Sequence, residues 1–337
     1  MSHLTDSLAT RCLLLGAIGD ALGAPIEFNK AEYIERTYGV EPPEDLAFEG
    51  PAPARFTDDT QMTLFMAEGL HRALDAGVAG EREAFRQIMA DSLVDWLATQ
   101  DRRVLEELED SRSELLKFED LHKRRAPGNT CLTSCYHMHR GGHLPDVDAR
   151  INDSKGCGAI MRSAPFGLWA ESAEQAFGWA LDSGVLTHCH PSGYLSGAYF
   201  AAMIFELARG QDFDQAMARA DALLAREPEA QETQAAVEAA RRVTRFGTLS
   251  FDDMVTLGEG WVGEESLAVA LAVARTADIS TQDGIREALW LAVRHSGDSD
   301  STGAIAGNLI GAMCADEAMP ARWLEQLEMR EAFELSI

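Results

Sequence analysis

Hydrophobic side chains recur along most of this chain at the three- to four-residue spacing of an amphipathic α-helix. Ala and Leu are abundant, whereas alternating stretches rich in Val, Ile and Tyr, which are typical of strands, are scarce. The sequence therefore predicts an all-α fold. The predicted helices cover about residues 4–22, 59–76, 83–98, 102–120, 157–170, 173–184, 191–208, 212–226, 230–244, 265–277, 281–293 and 302–315.

Two predicted helices carry glycines along one face, at residues 16, 19 and 23 and at residues 303, 307 and 311. Glycine has no side chain beyond Cα, so such a face lets two helix backbones approach closely. A phosphate-binding loop is disfavoured, because neither stretch has the G-x-x-x-x-G-K-[ST] pattern or a strand before it. We therefore predict close helix packing at both stretches.

Two stretches lack helical periodicity. Residues 37–56 contain several prolines, and residues 123–156 combine glycines and a proline with few periodic apolar positions. We predict both to be loop-rich, and a loop as long as the second is usually functional or mobile. The charged stretch between them, residues 100–125, is predicted to be a solvated helix.

Charge and cysteine content narrow the possible partners and compartment. Asp and Glu outnumber Lys and Arg by 55 to 29, giving a net charge of −26, which disfavours nucleic acid and anionic membranes as partners. The 6 cysteines form no C-x-x-C pair, so we expect reduced thiols and a cytoplasmic protein. The apolar run at 13–18 is too short for a membrane span and lacks the basic start of a signal peptide.

Two short acidic clusters carry the candidate chemistry, at Thr57-Asp58-Asp59 and at Asp298-Ser299-Asp300-Ser301. Helix capping could explain part of each cluster, since both precede helical runs. Four carboxylates exceed capping needs, however, and adjacent carboxylates repel unless a cation lies between them. Their oxygen ligands suit a hard divalent ion such as Mg²⁺. We therefore predict one metal centre built from both clusters, which requires residues 1–337 to form a single domain.

A set of motifs in a fixed order supports this prediction. The chain contains Gly19-Asp20-Ala21-Leu22-Gly23 with Glu27, Thr57-Asp58-Asp59-Thr60, Pro127-Gly128-Asn129-Thr130, Gly156-Cys157-Gly158-Ala159-Ile160-Met161-Arg162, Thr187-His188 and His295-Ser296-Gly297-Asp298-Ser299-Asp300-Ser301-Thr302-Gly303. With these motifs, spread nearly end to end, the chain resembles the ADP-ribosylglycohydrolase family. That resemblance implies a compact, single-domain, multi-helix fold with a central cleft that holds two Mg²⁺ ions, or Mn²⁺.

The resemblance also implies residue roles. The implied metal ligands are Thr57, Asp58, Asp59, Asp298, Asp300 and Ser301, and the implied catalytic residues are Glu27, Asp58 and Asp300. Two such ions could position a ribose hydroxyl and lower the pKa of water. Glu27 would position water or act as acid or base, although it could instead cap the helix end at Asn29. Asp20 is expected to be a structural hydrogen-bond partner.

The implied substrate-binding residues are Asn129, Ser154, Gly156, Cys157, Gly158 and His188. Backbone N–H groups of the 154–158 loop would receive a diphosphate, and His188 would lie beside the ribose. Cys157 is not expected to act as a nucleophile.

The remaining histidines offer an alternative that we disfavour. The pairs His188/His190 and His137/His139 lack the spacings of known zinc motifs. His190, which precedes Pro191, is predicted to start a helix. His295 is predicted to be a partner near Asp298 or a core residue.

The predicted function is removal of ADP-ribose from an ADP-ribosylated protein, most directly from arginine, since Ser299 and Ser301 resemble the arginine-specific branch of the family. Three alternatives remain open. The linkage could be to serine, nucleic acid or a small molecule. The protein could confer immunity against an ADP-ribosyltransferase toxin, by hydrolysis, by direct binding of the toxin, or by both. The first predicted helix begins near residue 4 and leaves no obvious blocking segment there, so the candidate interface for binding is the acidic surface and residues 100–156. A crystallin-like structural role is disfavoured, because every expected ligand position is filled.

Overall fold

The fold is built almost entirely from helices. A computed structural model describes residues 6–108, 111 and 113–334. Extended backbone in these ranges pairs only at isolated bridges. The α-helices are α1 (Asp6–Gly23), α2 (Ala31–Tyr38), α3 (Asp58–Asp75), α4 (Arg82–Gln100), α5 (Arg102–Glu107), α6 (Asn129–His139), α7 (Ala164–Trp169), α8 (Ala173–Gly184), α9 (Pro191–Ala208), α10 (Phe213–Leu224), α11 (Gln231–Val243), α12 (Phe251–Val255), α13 (Gly263–Thr276), α14 (Gln282–Val293), α15 (Ser299–Met313), α16 (Ala321–Gln326) and α17 (Glu331–Glu334).

Most predicted helices are present, and the predictions for 173–184 and 191–208 match α8 and α9 in full. The single helix predicted over 102–120 is wrong: α5 ends at Glu107, and two 3₁₀ turns follow at Leu115–Lys117 and Glu119–Leu121. The helix predicted over 157–170 is divided into a 3₁₀ turn, Ile160–Arg162, and α7. Pro165 in the first turn of α7 explains the break, because proline has no N–H to continue the preceding helix.

The loop predicted over 123–156 is wrong in its middle, where α6 forms. The buried residues of this helix include Cys131, Leu132, Cys135 and Met138, which follow helical spacing. Two of these four are cysteines, so the apolar face is harder to recognise from sequence. The loop predicted over 37–56 is present from residue 39 onward, because α2 ends at Tyr38 and the next helix, α3, begins at Asp58.

Helix α9 forms the centre of the core. All of its residues are buried, and α7, α8, α10, α13 and α15 pack around it. A helix that is apolar on every side is stable only when other elements cover it. Within the described ranges, neither α9 nor any other helix combines the length and apolar content needed to cross a membrane. All six cysteines are free thiols, as predicted.

The glycine faces of α1 and α15 pack against each other. A Cβ atom on Gly19 would lie less than 3.0 Å from the backbone of Gly303, and one on Gly23 would be equally close to Ser299. Gly311, near the other end of α15, lies against Cys12. The two helices are therefore antiparallel, and the prediction of close packing is confirmed. This arrangement places the end of α1 beside the start of α15.

Candidate metal centre and the 154–158 loop

The two acidic clusters meet because three helix ends converge. The α1–α15 contact places Asp298 and Asp300 beside the end of α1. Asp20, near that end, accepts hydrogen bonds at Oδ1 from the backbone N–H of Thr57 (2.8 Å) and at Oδ2 from the backbone N–H (3.0 Å) and hydroxyl (2.5 Å) of Thr60. Asp20 thus holds the start of α3 against α1, which is the structural role expected for it.

Glu27 joins the second cluster. It follows α1 on a turn and is half-buried, while Asp298 and Asp300 are buried. One carboxylate oxygen from each of the three side chains lies within 4.8 Å of the other two. This spacing allows a single cation to contact all three. Glu27 therefore lies among potential metal ligands, a position that neither the catalytic role nor the capping role considered from the sequence includes.

Asp58 and Asp59 lie at the start of α3 but outside that group of three. The helix cap is Thr57, whose hydroxyl accepts a hydrogen bond from the N–H of Asp59 at 3.3 Å. The Asp58 carboxylate instead accepts a hydrogen bond from the backbone of Gly128. Oδ2 of Asp59 is buried and has no hydrogen-bond partner. Capping therefore explains Thr57 and leaves a buried carboxylate oxygen of Asp59 without a partner.

We use the term acidic centre for the six carboxylates that these helix ends and the turn after α1 bring together: Asp20, Glu27, Asp58, Asp59, Asp298 and Asp300. Burial, and then the negative charge of Asp300, raises the pKa of Asp20 to about 7 and that of Glu27 to about 8. The same two causes raise the pKa values of Asp58, Asp59 and Asp298 well above the usual range. Across residues 6–108, 111 and 113–334, no Lys, Arg or His forms an ion pair with any of the six. A divalent cation would offset this repulsion, and carboxylate oxygens are the donors such ions prefer.

Cys157 and Ser301 extend the acidic centre. The Cys157 thiol donates to Oδ2 of Asp298 at 2.9 Å and accepts from the Ser301 hydroxyl at 3.4 Å. Burial, and then the charge of Asp298, raises the pKa of the Cys157 thiol well above its usual value. The protonated thiol is a poor nucleophile, in agreement with the sequence-based expectation.

The 154–158 loop is held on both sides. The Ser154 hydroxyl lies 3.0 Å from that of Thr130 in the first turn of α6, where Asn129 is exposed. Lys155 forms ion pairs with Glu264 (2.8 Å) and Glu232 (2.9 Å). Gly156 pairs with Val262 in an antiparallel bridge. These contacts fix the loop beside Asp298, which Cys157 contacts directly.

His188 is buried behind this loop. A Cβ atom on Gly156 would lie 3.3 Å from Nε2 of His188, and one on Gly158 would lie less than 3.0 Å from the same ring. Nδ1 of His188 is 2.8 Å from the hydroxyl of Thr187. The His188 ring therefore packs against the 154–158 loop at two glycines, where any larger side chain would crowd it.

Arg162 has a structural role that its sequence context did not indicate. This side chain is fully buried, donates to the hydroxyl of Thr187 at 2.8 Å, and contacts the carbonyl of Gly158. No carboxylate pairs with it in the described part of the chain. In the sequence, Arg162 follows the apolar stretch Ala159-Ile160-Met161. An arginine there is normally read as the exposed side of an amphipathic helix, because arginine is seldom fully buried.

Four further histidines that the sequence singled out have hydrogen-bond partners in the structure. Nδ1 of His190 accepts from the N–H of Ser192 at 3.1 Å and caps α9, as predicted. Nε2 of His295 is 2.8 Å from the hydroxyl of Thr302 rather than beside a carboxylate. His139 contacts Glu107 at 2.8 Å, and Nε2 of His137 lies 3.1 Å from the carbonyl of His143.

The fold and the site together define a class of protein: a helical protein in which helix ends bring buried carboxylates together. Among the described residues no ion pair neutralises these carboxylates, and their oxygen atoms suit divalent ions. The profile of the ADP-ribosylglycohydrolase family matches residues 1–336, so the chain belongs to that family. Membership supports a hydrolase that acts on ADP-ribose linkages.

Two curated relatives align over most of the chain. The ADP-ribosyl-[dinitrogen reductase] glycohydrolase of Rhodospirillum rubrum is 25% identical over 319 residues, which cover 93% of this chain and 88% of the relative. An uncharacterized protein of Archaeoglobus fulgidus is 27% identical over 339 residues, covering 96% and 92%. A solved structure, described as an ADP-ribosylglycohydrolase-related protein complex, superimposes with a TM-score of 0.66 at 24% identity, covering 98% of this chain and 96% of its own. This structural likeness shows the shared all-α fold.

Proposed function

We propose that this protein is a magnesium-dependent hydrolase that releases ADP-ribose from arginine side chains of modified proteins in the cytoplasm. The observation that carries the proposal is the acidic centre, in which Glu27, Asp298 and Asp300 share one space and a buried oxygen of Asp59 lacks a partner. The Rhodospirillum rubrum relative is named for removing ADP-ribose from a modified protein, and the serines at 299 and 301 favour the arginine linkage.

The metal would be a pair of Mg²⁺ ions, with Mn²⁺ as a substitute, in a central cleft. Residues that would hold it are Thr57, Asp58, Asp59, Asp298, Asp300 and Ser301, to which the geometry adds Glu27. When bound, such ions supply Lewis acidity and lower the pKa of water. The balance of charge supports this assignment, because buried carboxylates are stable as anions only when cations or hydrogen bonds offset their charge.

The 154–158 loop would bind the diphosphate of ADP-ribose through backbone N–H groups. Lys155 is already paired with two glutamates, so the loop itself has to provide the donors. Burial, followed by the nearby charge of Arg162, lowers the pKa of His188 to about 3. His188 is therefore neutral at physiological pH and supports the loop and the adjacent ribose without adding charge.

Hydrolysis would break the bond between the anomeric carbon of the ribose and the guanidine nitrogen. The oxygen of water forms the new bond to that carbon, and the departing nitrogen takes up a proton. Glu27 is half-buried beside Asp298 and Asp300. A divalent cation held there would favour its ionised form, and that carboxylate can orient the water and accept its proton. Asn129, exposed at the start of α6, would contact the ribose or the modified side chain.

The test is release of ADP-ribose from an arginine-ADP-ribosylated protein, measured with Mg²⁺ and with EDTA. We expect metal-dependent release by the wild type and a loss of at least about 100-fold in Asp58→Ala and Asp300→Ala, because metal sites tolerate ligand loss poorly. Asp75→Ala is the matched control, since Asp75 is exposed at the other end of α3. Circular dichroism checks that each variant remains helical. Full activity in Asp300→Ala contradicts the proposed site.

Other outcomes distinguish the alternatives. Release from serine-linked or nucleic-acid-linked ADP-ribose, with none from arginine, assigns a different linkage to the same site. Protection of cells from an ADP-ribosyltransferase toxin by the inactive Asp300→Ala variant assigns an immunity role by direct binding. The protein, whose sequence has a net charge of −26, would then select a basic partner.

A further inference from the structure

An exposed aromatic pair lies next to the acidic centre. The rings of Phe28 and Trp261 stack with their centroids 5.2 Å apart and an interplanar angle of 23°. Phe28 is 72% exposed and Trp261 is 38% exposed. Large apolar side chains at such exposure lose the stabilisation that burial gives, so a stacked pair in solvent indicates a binding surface.

The backbone of Phe28 is strained. Its φ angle of 67° lies in the left-handed region, which bulky residues rarely adopt and which glycine would occupy without penalty. Phe28 follows Glu27 directly, so this conformation sets where the ring projects from the acidic centre. An exposed side chain in a strained conformation contributes little to folding, and such strain is concentrated at functional sites.

Trp261 reaches the same place from a distant part of the chain. The backbone carbonyl of Glu259 accepts a hydrogen bond from the N–H of Asp298 at 2.8 Å. On the other side of Trp261, Val262 pairs with Gly156 of the 154–158 loop. The segment 259–262 therefore runs between a predicted metal ligand and the predicted diphosphate loop. Stacking on Phe28 joins this segment to the turn that carries Glu27.

The groups around the pair are mainly acidic. The indole N–H of Trp261 donates to Oε2 of Glu259 at 3.3 Å, and Glu27 precedes Phe28. Lys30 lies 3.8 Å from Glu259, but both side chains are largely exposed and the pair is screened by solvent. Aromatic faces beside carboxylates attract cations, and a planar guanidinium stacks on such faces.

We infer that Phe28 and Trp261 form the binding surface for the guanidinium group of an ADP-ribosylated arginine. The inference rests on the proposed function and specifies the leaving group. The pair adjoins Glu27 at the reacting end of the substrate, where the guanidinium is attached to the ribose. Adenine would also stack on aromatic rings, but it is neutral and gains nothing from Glu27 or Glu259.

The experiment compares Phe28→Ala and Trp261→Ala with wild type on arginine-linked and serine-linked ADP-ribosyl peptides. We expect kcat/KM on the arginine substrate to fall by about 3- to 30-fold, the range that a cation–aromatic contact provides. Any activity on the serine substrate should fall less than activity on the arginine substrate, and inhibition by free ADP-ribose, which has no guanidinium, should remain unchanged. Trp261→Phe should retain most of the activity because it keeps an aromatic face.

Phe246→Ala is the matched control, because Phe246 is 78% exposed and lies in a turn remote in sequence from the acidic centre. Equal losses on both linkages, or weaker inhibition by ADP-ribose, would show that the pair binds the adenosine half and would overturn the inference. Unchanged kinetics in Phe28→Ala would also overturn it.

A wild type that hydrolyses no ADP-ribosyl linkage would contradict the proposed function instead. Titration with agmatine, a small guanidinium compound, then tests the aromatic pair independently by NMR. Binding that is lost in Phe28→Ala supports the inference, and binding that is absent or equal in both proteins overturns it.

Discussion

Arg162, Thr187 and His188 show how single residues shape the wall beside the acidic centre. The buried guanidinium of Arg162 donates to Thr187, whose hydroxyl also contacts Nδ1 of His188. Since Arg162 has no carboxylate partner in the ranges described, its charge is offset by carbonyl and hydroxyl oxygens and by the nearby charge of Asp58. The three residues form one network, so a change in any of them should displace Gly158.

The neutral state of His188 predicts a pH dependence of stability. The pKa of His188 is about 3 in the folded protein and about 6.5 in an unfolded chain. Below about pH 6.5 the unfolded chain therefore binds a proton that the folded protein excludes. The free energy of unfolding then decreases by up to about 1.4 kcal/mol for each unit by which the pH is lowered. The contribution is complete above that pH and is lost as pH falls toward the folded pKa.

The measurement is the free energy of unfolding by urea between about pH 7 and pH 5, in EDTA, for wild type and His188→Gln. We expect wild type to lose about 2 kcal/mol more than the variant over this range. Carboxylates titrate in both proteins, so their effect cancels in the comparison. Parallel curves would show that His188 is protonated in the folded state.

At the scale of elements, the α1–α15 pair positions the acidic centre. Because the two helices are antiparallel and their backbones touch through glycines, the end of α1 and the start of α15 have little freedom to separate. Asp20 then attaches the start of α3 to the same place. Apart from Glu27, which follows α1 on a turn, the proposed metal ligands thus lie at the starts of helices that are fixed by packing.

A glycine substitution tests this packing. In Gly303→Ala, the added methyl group would lie less than 3.0 Å from the backbone of Gly19, and we expect a loss of roughly 1–3 kcal/mol in the free energy of unfolding, because neither backbone can yield easily. Gly178→Ala in α8 meets no atom within 4 Å and should stabilise by about 0.5–1 kcal/mol, since alanine favours the helix.

Both changes replace glycine by alanine within a helix, so the difference between them isolates the contact. Urea unfolding measures it, and release of ADP-ribose reports whether the acidic centre shifts with the helices. A Gly303→Ala variant as stable as Gly178→Ala would show that α1 and α15 separate without penalty.

At the scale of the whole molecule, the C-terminal part of the chain braces the start of α3. Glu328 accepts from the N–H of Phe56 at 3.1 Å and forms an ion pair with Arg125, whose guanidinium also donates to the carbonyl of Phe56 at 2.7 Å. Both charged side chains are buried. Since Phe56 directly precedes Thr57, segments far apart in sequence jointly fix the first acidic cluster.

Removal of one partner of this buried ion pair should strongly destabilise the folded protein. We expect Glu328→Ala to lower the free energy of unfolding by about 3–5 kcal/mol, because it leaves the Arg125 charge buried and unpaired. The double variant Arg125→Met/Glu328→Leu should lose no more than the single variant, because no uncompensated charge remains. A double variant that is less stable than Glu328→Ala would contradict this account.

Metal binding should change the stability of the entire domain. With Mg²⁺ at about 100 times its dissociation constant, a cation that binds only the folded protein adds about 2.7 kcal/mol. We expect the Tm of wild type to rise with Mg²⁺ and to fall back in EDTA, with no such response in Asp300→Asn. In EDTA, Asp300→Asn should be at least as stable as wild type, because its neutral side chain relieves repulsion within the acidic centre. An equal Mg²⁺ response in both proteins would place the binding site elsewhere.

Much of this protein can be inferred from its sequence alone. Helical periodicity predicted the all-α class and most helices, because burial of one helix face imposes a local pattern. The spacing of Gly19 and Gly303 within their helices predicted close packing. The chemistry of the clusters that contain Asp58 and Asp300 is likewise local, since two groups of neighbouring carboxylates that exceed the needs of helix capping favour a cation.

Only the tertiary structure showed which groups meet. Glu27 lies within reach of Asp298 and Asp300 because α1 and α15 run antiparallel, and no local pattern contains that relation. The stacking of Phe28 on Trp261 is likewise a contact between distant segments. Side-chain periodicity reports which face of a helix is buried, whereas the identity of the neighbouring group depends on how all the helices pack at once.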